Sequence, residues 1–140
     1  MTNPDLFQRV FSTCKTIAVV GLSPNPERDS HEVARYMQAH GYRIVPINPN
    51  ATEVLGERCY PNLTTAAAAL ALQGEHIDMV DCFRRSTDIP PIADEAIAIG
   101  ASCLWLQIGV VNEPAAETAR AAGLDVVMNR CLMVVHARRG

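Results

Sequence analysis

Residues 16–36, TIAVVGLSPNPERDSHEVARY, decide how the rest of the chain is read. Ile17, Ala18, Val19 and Val20 form an unbroken apolar run, the pattern of a strand buried on both faces of a parallel sheet. Gly21 closes the run, where a residue without a Cβ lets the backbone turn or a ligand approach. A polar loop follows, then the start of a helix. Asp29 or Ser30 is expected to cap that helix, and Asp29 with Glu32 has the spacing of a capping box. Open amides and the dipole at a helix start attract an anion. Ser23, Arg28 and Ser30 add donors beside it, so the loop reads as one that holds phosphate.

Working outward, residues 3–14 have the pattern of a short amphipathic helix, with Leu6, Phe7, Val10 and Phe11 facing in and Pro4 in the first turn. It is expected to cover an edge or face of the sheet. Downstream, residues 30–40 continue the helix, with Val33, Ala34, Tyr36 and Met37 inward and Gly41 just past the end. Residues 43–48, RIVPIN, read as a second strand, in which Pro46 is awkward because it donates no ladder bond. Residues 49–63 are irregular and long enough for a small excursion. Thr64 or Thr65 is expected to cap the alanine-rich helix after it.

Residues 77–83 and 103–108 give the third and fourth strands, and the helix between them, 88–99, confines Pro90 and Pro91 to its first turn. Asn112 caps a helix over 113–122, residues 124–128 form a fifth strand, and the tail NRCLMVVHARRG adds a short apolar segment before a basic end. Helices alternating with short apolar strands mean βαβ units and a parallel sheet. The expected fold is therefore α/β: a single Rossmann-like domain over residues 1–140, doubly wound, with about five strands in the order 3-2-1-4-5 and helices on both faces. Ligands of such sheets bind beyond the strands' carboxyl ends, here near the switch between the first and fourth strands. That selects segments 21–30, 48–50, 83–86, 107–110 and 129–131.

Composition narrows the function. The 140 residues carry a net charge of -3, which argues against nonspecific nucleic-acid binding. No apolar run approaches the ~18–20 residues of a membrane span, and the first residues lack a signal-peptide pattern, so a cytoplasmic protein is expected. The five cysteines, Cys14, Cys59, Cys82, Cys103 and Cys131, are scattered without a CxxC, which fits reduced thiols rather than a disulfide frame or zinc site. Cys82, Cys103 and Cys131 read as small core residues. Cys131, past a strand end, is the one to test for reactivity. Trp105 reads as core, and His31 as packing rather than catalysis. Asp81, inside an apolar strand, needs hydrogen-bond partners, for which neighbouring backbone or Ser/Thr groups are expected.

NAD fits poorly. The first turn, Gly21-Leu22-Ser23-Pro24-Asn25-Pro26, has one glycine and two prolines where the dinucleotide fingerprint has G-x-G-x-x-G. The second strand ends in Asn48-Pro49-Asn50, with no acid for the ribose hydroxyls. No P-loop motif is present either. The stretch VVGLSPNPERDSHEVARYMQAHGYRIVPINPN resembles the opening of the small stand-alone bacterial CoA-binding proteins, relatives of the CoA-binding domain of succinyl-CoA ligase alpha subunits. The likeness continues through DCFRRSTDIPPIADEAI, LWLQIGVVNEPA and VVMNRCLMVVH, and so covers nearly all of the chain beyond residue 15. Asn129 stands where that pattern has Asp.

The resemblance implies that coenzyme A is the ligand, held by its nucleotide end. By position, Gly21, Ser23, Arg28 and Ser30 would face the pyrophosphate. Asn48 and Pro49 would border the adenosine, with Phe83 and Arg84 as the opposite wall. Gln107, Ile108 and Gly109 would line the crevice through which the pantetheine arm leaves. Spacing places no nucleophile–base pair and no metal cluster at this crevice, so a binding protein for CoA or acyl-CoA without its own chemistry is expected. The rivals are a nicotinamide-dependent oxidoreductase, the CoA half of an acyl-CoA ligase or transferase working with a partner subunit, and an interaction module that has lost its ligand.

Overall fold

The structure, a computed structural model, describes residues 4–139. The expected helix start at Asn3 therefore lies outside the described residues, as do the ends of the 1–140 domain span. Helix α1 (Pro4–Thr13) leads into β1 (Thr16–Val20), α2 (Asp29–Ala39) and β2 (Arg43–Ile47). The irregular stretch after β2 holds a two-stranded excursion, β3 (Glu53–Val54) and β4 (Glu57–Arg58), before α3 (Leu63–Ala71). Then come β5 (Met79–Cys82), a single 3-10 turn (Ser86–Asp88), α4 (Ile89–Ala98), β6 (Cys103–Leu106), α5 (Glu113–Ala121), β7 (Asp125–Val127) and α6 (Leu132–Arg138). The tail's apolar segment is thus a helix.

All pairings in the main five-stranded sheet are parallel, in the order β2-β1-β5-β6-β7. The doubly wound α/β architecture is the expected one, but the lateral order is corrected. Counting only the main strands, the order is 2-1-3-4-5 rather than 3-2-1-4-5. The third strand lies between the first and the fourth, tied to β1 through Asp78 N–H to Thr16 O and Phe83 N–H to Val20 O. Both orders obey right-handed crossovers, and apolar periodicity does not distinguish them. The correction moves the topological switch to the gap between β1 and β5.

Alternate residues of the central strands feed two cores. Ala18, Val20, Val80, Cys82, Leu104 and Leu106 pack with Leu63, Ala66 and Leu70 of α3, Ala93 and Ala96 of α4, and Ala116 and Ala119 of α5. Ile17, Val19, Met79, Cys103 and Trp105 face the other way, against α1, α2 and α6. The Phe7 and Phe11 rings each lie 5.9 Å from Trp105 and anchor α1 to this second face.

Two capping expectations are corrected. Arg28, not Asp29 or Ser30, occupies the N-cap of α2, with extended backbone and no side-chain cap. Asn62, not Thr64 or Thr65, caps α3 by accepting the Thr65 amide at 2.8 Å. Asn112 caps α5 as expected, accepting the Ala115 amide at 3.0 Å. Pro46 sits on β2, at the margin of the sheet. Its carbonyl accepts the Tyr60 amide from outside at 3.0 Å, and the Asn48 amide returns to Tyr60 O at 2.9 Å. Both polar groups of a residue in a strand point to the same side, so the missing N–H faces away from β1 and the β1–β2 ladder is intact.

Candidate ligand-binding site

The corrected order puts the carboxyl ends of β1 and β5 side by side. Gly21 leaves β1 with φ +86, and a Cβ there would lie 2.5 Å from Phe83 O. Only glycine tolerates both demands. Beyond it the chain is pinned residue by residue. Asn48 Nδ2 donates to Leu22 O at 3.0 Å. Ser30 Oγ accepts the Ser23 amide at 3.0 Å, and His31 Nδ1 lies 3.0 Å from Ser23 O, so it donates there. Ser23 Oγ accepts the Asn25 amide at 3.1 Å, Asn25 Oδ1 accepts the Glu27 amide at 3.0 Å, and Asn25 O accepts the Arg28 amide at 3.1 Å. Ser30 and His31 are both buried.

This loop walls a hollow of about 530 Å³ lined by Gly21, Ser23, Glu27, Arg28, Asp29, Ser30 and Phe83. The opening turn of α2, without a side-chain cap, faces it with the positive end of the helix dipole. Arg28 adds a full positive charge on an exposed side chain, while Glu27 and Asp29 place carboxylates on the same wall. The helix start and Arg28 favour an anion here, whereas the two carboxylates oppose one.

Of the residues expected from sequence, Gly21, Ser23, Arg28, Ser30 and Phe83 converge on this hollow. Arg84 adjoins it, with its Nε beside Gly21. Asn48 stands behind the loop as a brace, its Oδ1 also accepting the Asn50 amide at 2.8 Å, and Pro49 is an exposed turn residue. Gln107 is interior. Its Nε2 donates to Asp81 Oδ1 at 2.5 Å and its Oε1 accepts the Leu132 amide at 3.4 Å. The partner of the buried Asp81 is thus a side-chain amide rather than the expected backbone or hydroxyl group. Burial pushes the Asp81 carboxyl up from 3.8 to about 7, with the Gln107 hydrogen bond pulling the other way.

Ile108, 69% exposed, lines a second cavity of about 870 Å³ with Phe7 and Gln8 of α1, Asn129–Cys131, and Val134, Val135, Arg138 and Arg139. Gly109 donates its amide to Asn129 Oδ1 at 2.7 Å. Asn129 has φ 62, a conformation that Asn tolerates better than most residues, and its amide oxygen takes this bond without needing a carboxylate. His31 packs on the loop, in keeping with its reading as a packing residue, while sequence reasoning missed the α1 and α6 walls of the second cavity. Among the described residues no group of three or more His, Cys, Asp or Glu could hold a metal ion, and no helix is long and apolar enough to cross a membrane.

A family model described as a CoA binding domain matches residues 15–137. The chain belongs to the CoA binding domain family. This CoA binding domain is 39% identical over 139 residues to the uncharacterized protein YneT of Bacillus subtilis (strain 168), covering 98% of each chain. Among solved structures it is similar to a protein from Thermus thermophilus, with a TM-score of 0.87, 34% identity and coverage of 99% of this chain and 100% of that one. It is also similar to a hypothetical protein from Pyrococcus horikoshii OT3, with a TM-score of 0.86, 36% identity and coverage of 98% and 92%. The match with the CoA binding domain begins at Lys15, so α1 lies outside the matched span.

Proposed function

We propose that this CoA binding domain binds coenzyme A or an acyl-CoA by its nucleotide end and has no chemistry of its own, serving as a carrier, sensor or regulator. The observation that carries the reading is the hollow at the β1–β5 switch, where Gly21, Ser23, Arg28 and Ser30 meet an uncapped helix start. The diphosphate sits against those amides, with Arg28 supplying a charge-assisted bond. The Phe83 ring and the Arg84 guanidinium offer flat faces to the adenine, with Asn48 and Pro49 at its border. The arm then crosses β5 and β6 toward Ile108 and Gly109. Neighbouring strands lie about 4.8 Å apart, so that crossing is roughly 10 Å. The bracing of Ser23 by Ser30 and His31 means the loop is built before the ligand arrives, which spares the entropy of ordering it.

The test is a thermal melt with CoA, dephospho-CoA, NAD, ATP and buffer alone. A ligand at ~100 times its Kd stabilises the fold by ~2.7 kcal/mol. For a domain of this size that raises the midpoint by roughly 5–10 °C or more. CoA is expected to give this rise and NAD none. A rise with NAD and none with CoA overturns the reading in favour of an oxidoreductase, and no rise with any of them leaves an interaction module.

A further inference from the structure

The cavity beside Ile108 has no part in holding the nucleotide. It is walled by α1, α6 and the segments that follow β6 and β7. Its volume of about 870 Å³ is that of a small-molecule pocket, commonly about 300–1,000 Å³. The wall has two kinds of surface. Phe7 of α1, Val134 and Val135 of α6, and Ile108 are apolar. Ile108 and Val134 are 69% and 36% exposed, so water rather than protein covers much of both. Taking such surface out of water favours a hydrocarbon ligand there.

The charged part of the wall has one sign. Its charged side chains are arginines, among them Arg138 and Arg139, and no Asp or Glu is among the described lining residues. The Arg139 guanidinium lies 5.3 Å from the centre of the Phe11 ring and 3.3 Å from His136 Nε2, neither of them an anion. Arg138, exposed in the last turn of α6, also suits the negative end of that helix. That fit does not account for the apolar surface beside it. Charge complementarity selects a ligand that is apolar along its length and negative at one end.

The fold sets the order in which a ligand meets these surfaces. Ile108 follows the carboxyl end of β6, and the start of α6 lies at the same end, where the Leu132 amide donates to Gln107 Oε1 at 3.4 Å. Arg138 is six residues beyond Leu132, or about 9 Å along the helix axis. Val134 and Val135 lie between them. A chain entering beside Ile108 therefore meets apolar side chains first and a guanidinium last.

We propose that this cavity holds the acyl group of an acyl-CoA and selects acyl chains that end in a carboxylate. The chain lies against Ile108, Val134 and Val135, and the carboxylate takes two N–H donors of Arg138. The proposal rests on CoA being bound at the β1–β5 switch, from which the arm leads to Ile108. Attachment to CoA raises the local concentration of the acyl end at the cavity. A plain acyl chain gains the apolar contact and leaves Arg138 to water. Only binding is involved, and no bond forms or breaks.

The test is calorimetry on the full chain with CoA, hexanoyl-CoA, adipoyl-CoA and free adipate. The two acyl chains have the same length and differ only at the far end. Hexanoyl-CoA is expected to bind more tightly than CoA, adipoyl-CoA roughly tenfold more tightly than hexanoyl-CoA, and free adipate to give no measurable heat. Arg138→Gln is expected to erase the preference for adipoyl-CoA and leave the affinity for CoA as it was. Equal affinities for the two acyl compounds, with CoA still bound, overturn this proposal and leave the CoA reading standing. No heat with CoA or either thioester overturns both. An Arg138→Gln variant that binds CoA itself more weakly assigns the arginine to a phosphate of the nucleotide, which also overturns the proposal.

Discussion

Replacing Asp81 by Asn should stabilise the protein at pH 8 and destabilise it by about 1–2 kcal/mol near pH 4, where only the unsatisfied amide hydrogen counts. The carboxyl lies inside the sheet with one oxygen held by Gln107 and the other, Oδ2, without a hydrogen-bond partner. Burial raises its pKa from 3.8 to about 7. Below pH 4 it is protonated in both folded and unfolded chains and costs nothing. Between pH 4 and 7 the unfolded chain releases the proton and the folded chain keeps it, so stability falls as pH rises. Above pH 7 the loss is complete and constant. The gap from 3.8 to about 7, at about 1.4 kcal/mol per pH unit, amounts to roughly 4 kcal/mol. Asn has nearly the same shape, presents an oxygen to Gln107 and carries no charge, so it escapes the penalty. An unsatisfied amide hydrogen near the old Oδ2 takes back about 1–2 kcal/mol. The net gain at pH 8 is then about 2–3 kcal/mol, or roughly 5–15 °C in the midpoint. Urea melts of both proteins at pH 4, 6 and 8 measure it. A stability difference that does not change between pH 4 and 8 refutes the argument.

Two further substitutions test the ligand site and its frame. Arg28→Ala removes a charge-assisted hydrogen bond worth about 1.5–3 kcal/mol, so calorimetry should find CoA bound about ten- to a hundredfold more weakly; unchanged affinity places the diphosphate elsewhere. Gly21→Ala drives a Cβ to 2.5 Å from Phe83 O at φ +86, which should cost roughly 2–4 kcal/mol. It should lower the urea midpoint, and a wild-type midpoint would mean that β1 and β5 do not approach so closely at their ends.

The fold class was legible because its signals are local. Apolar runs such as IAVV, and glycines placed after helices, mark strands and helix ends without reference to the rest of the chain. The order of the strands was not legible, because nothing in the composition of residues 77–83 says whether that strand lies inside or outside the fourth. That Ser23, Arg28 and Ser30 gather at one loop was readable, since a strand, a glycine and a helix start are contiguous. The cap of α2 was misread because Ser30 spends its hydroxyl on the Ser23 amide, a loop contact that competes with capping. Gln107 was given to a crevice by the resemblance, and its bond to the buried carboxylate of Asp81 on the neighbouring strand is a contact that no local pattern shows.

Pro46 and Tyr60 have a consequence for how copies of this protein meet. An unguarded lateral strand is a template on which a second chain can lengthen the sheet, the first step toward aggregation. On the β2 flank that template is already taken: one position lacks a donor, and the adjoining groups are bonded to Tyr60. Arg43, ion-paired to Glu75 at 2.6 Å, adds charge at the entrance to the same margin. Crowded copies should therefore slide past one another along this flank instead of knitting together, which leaves β7 as the sheet margin open to such pairing.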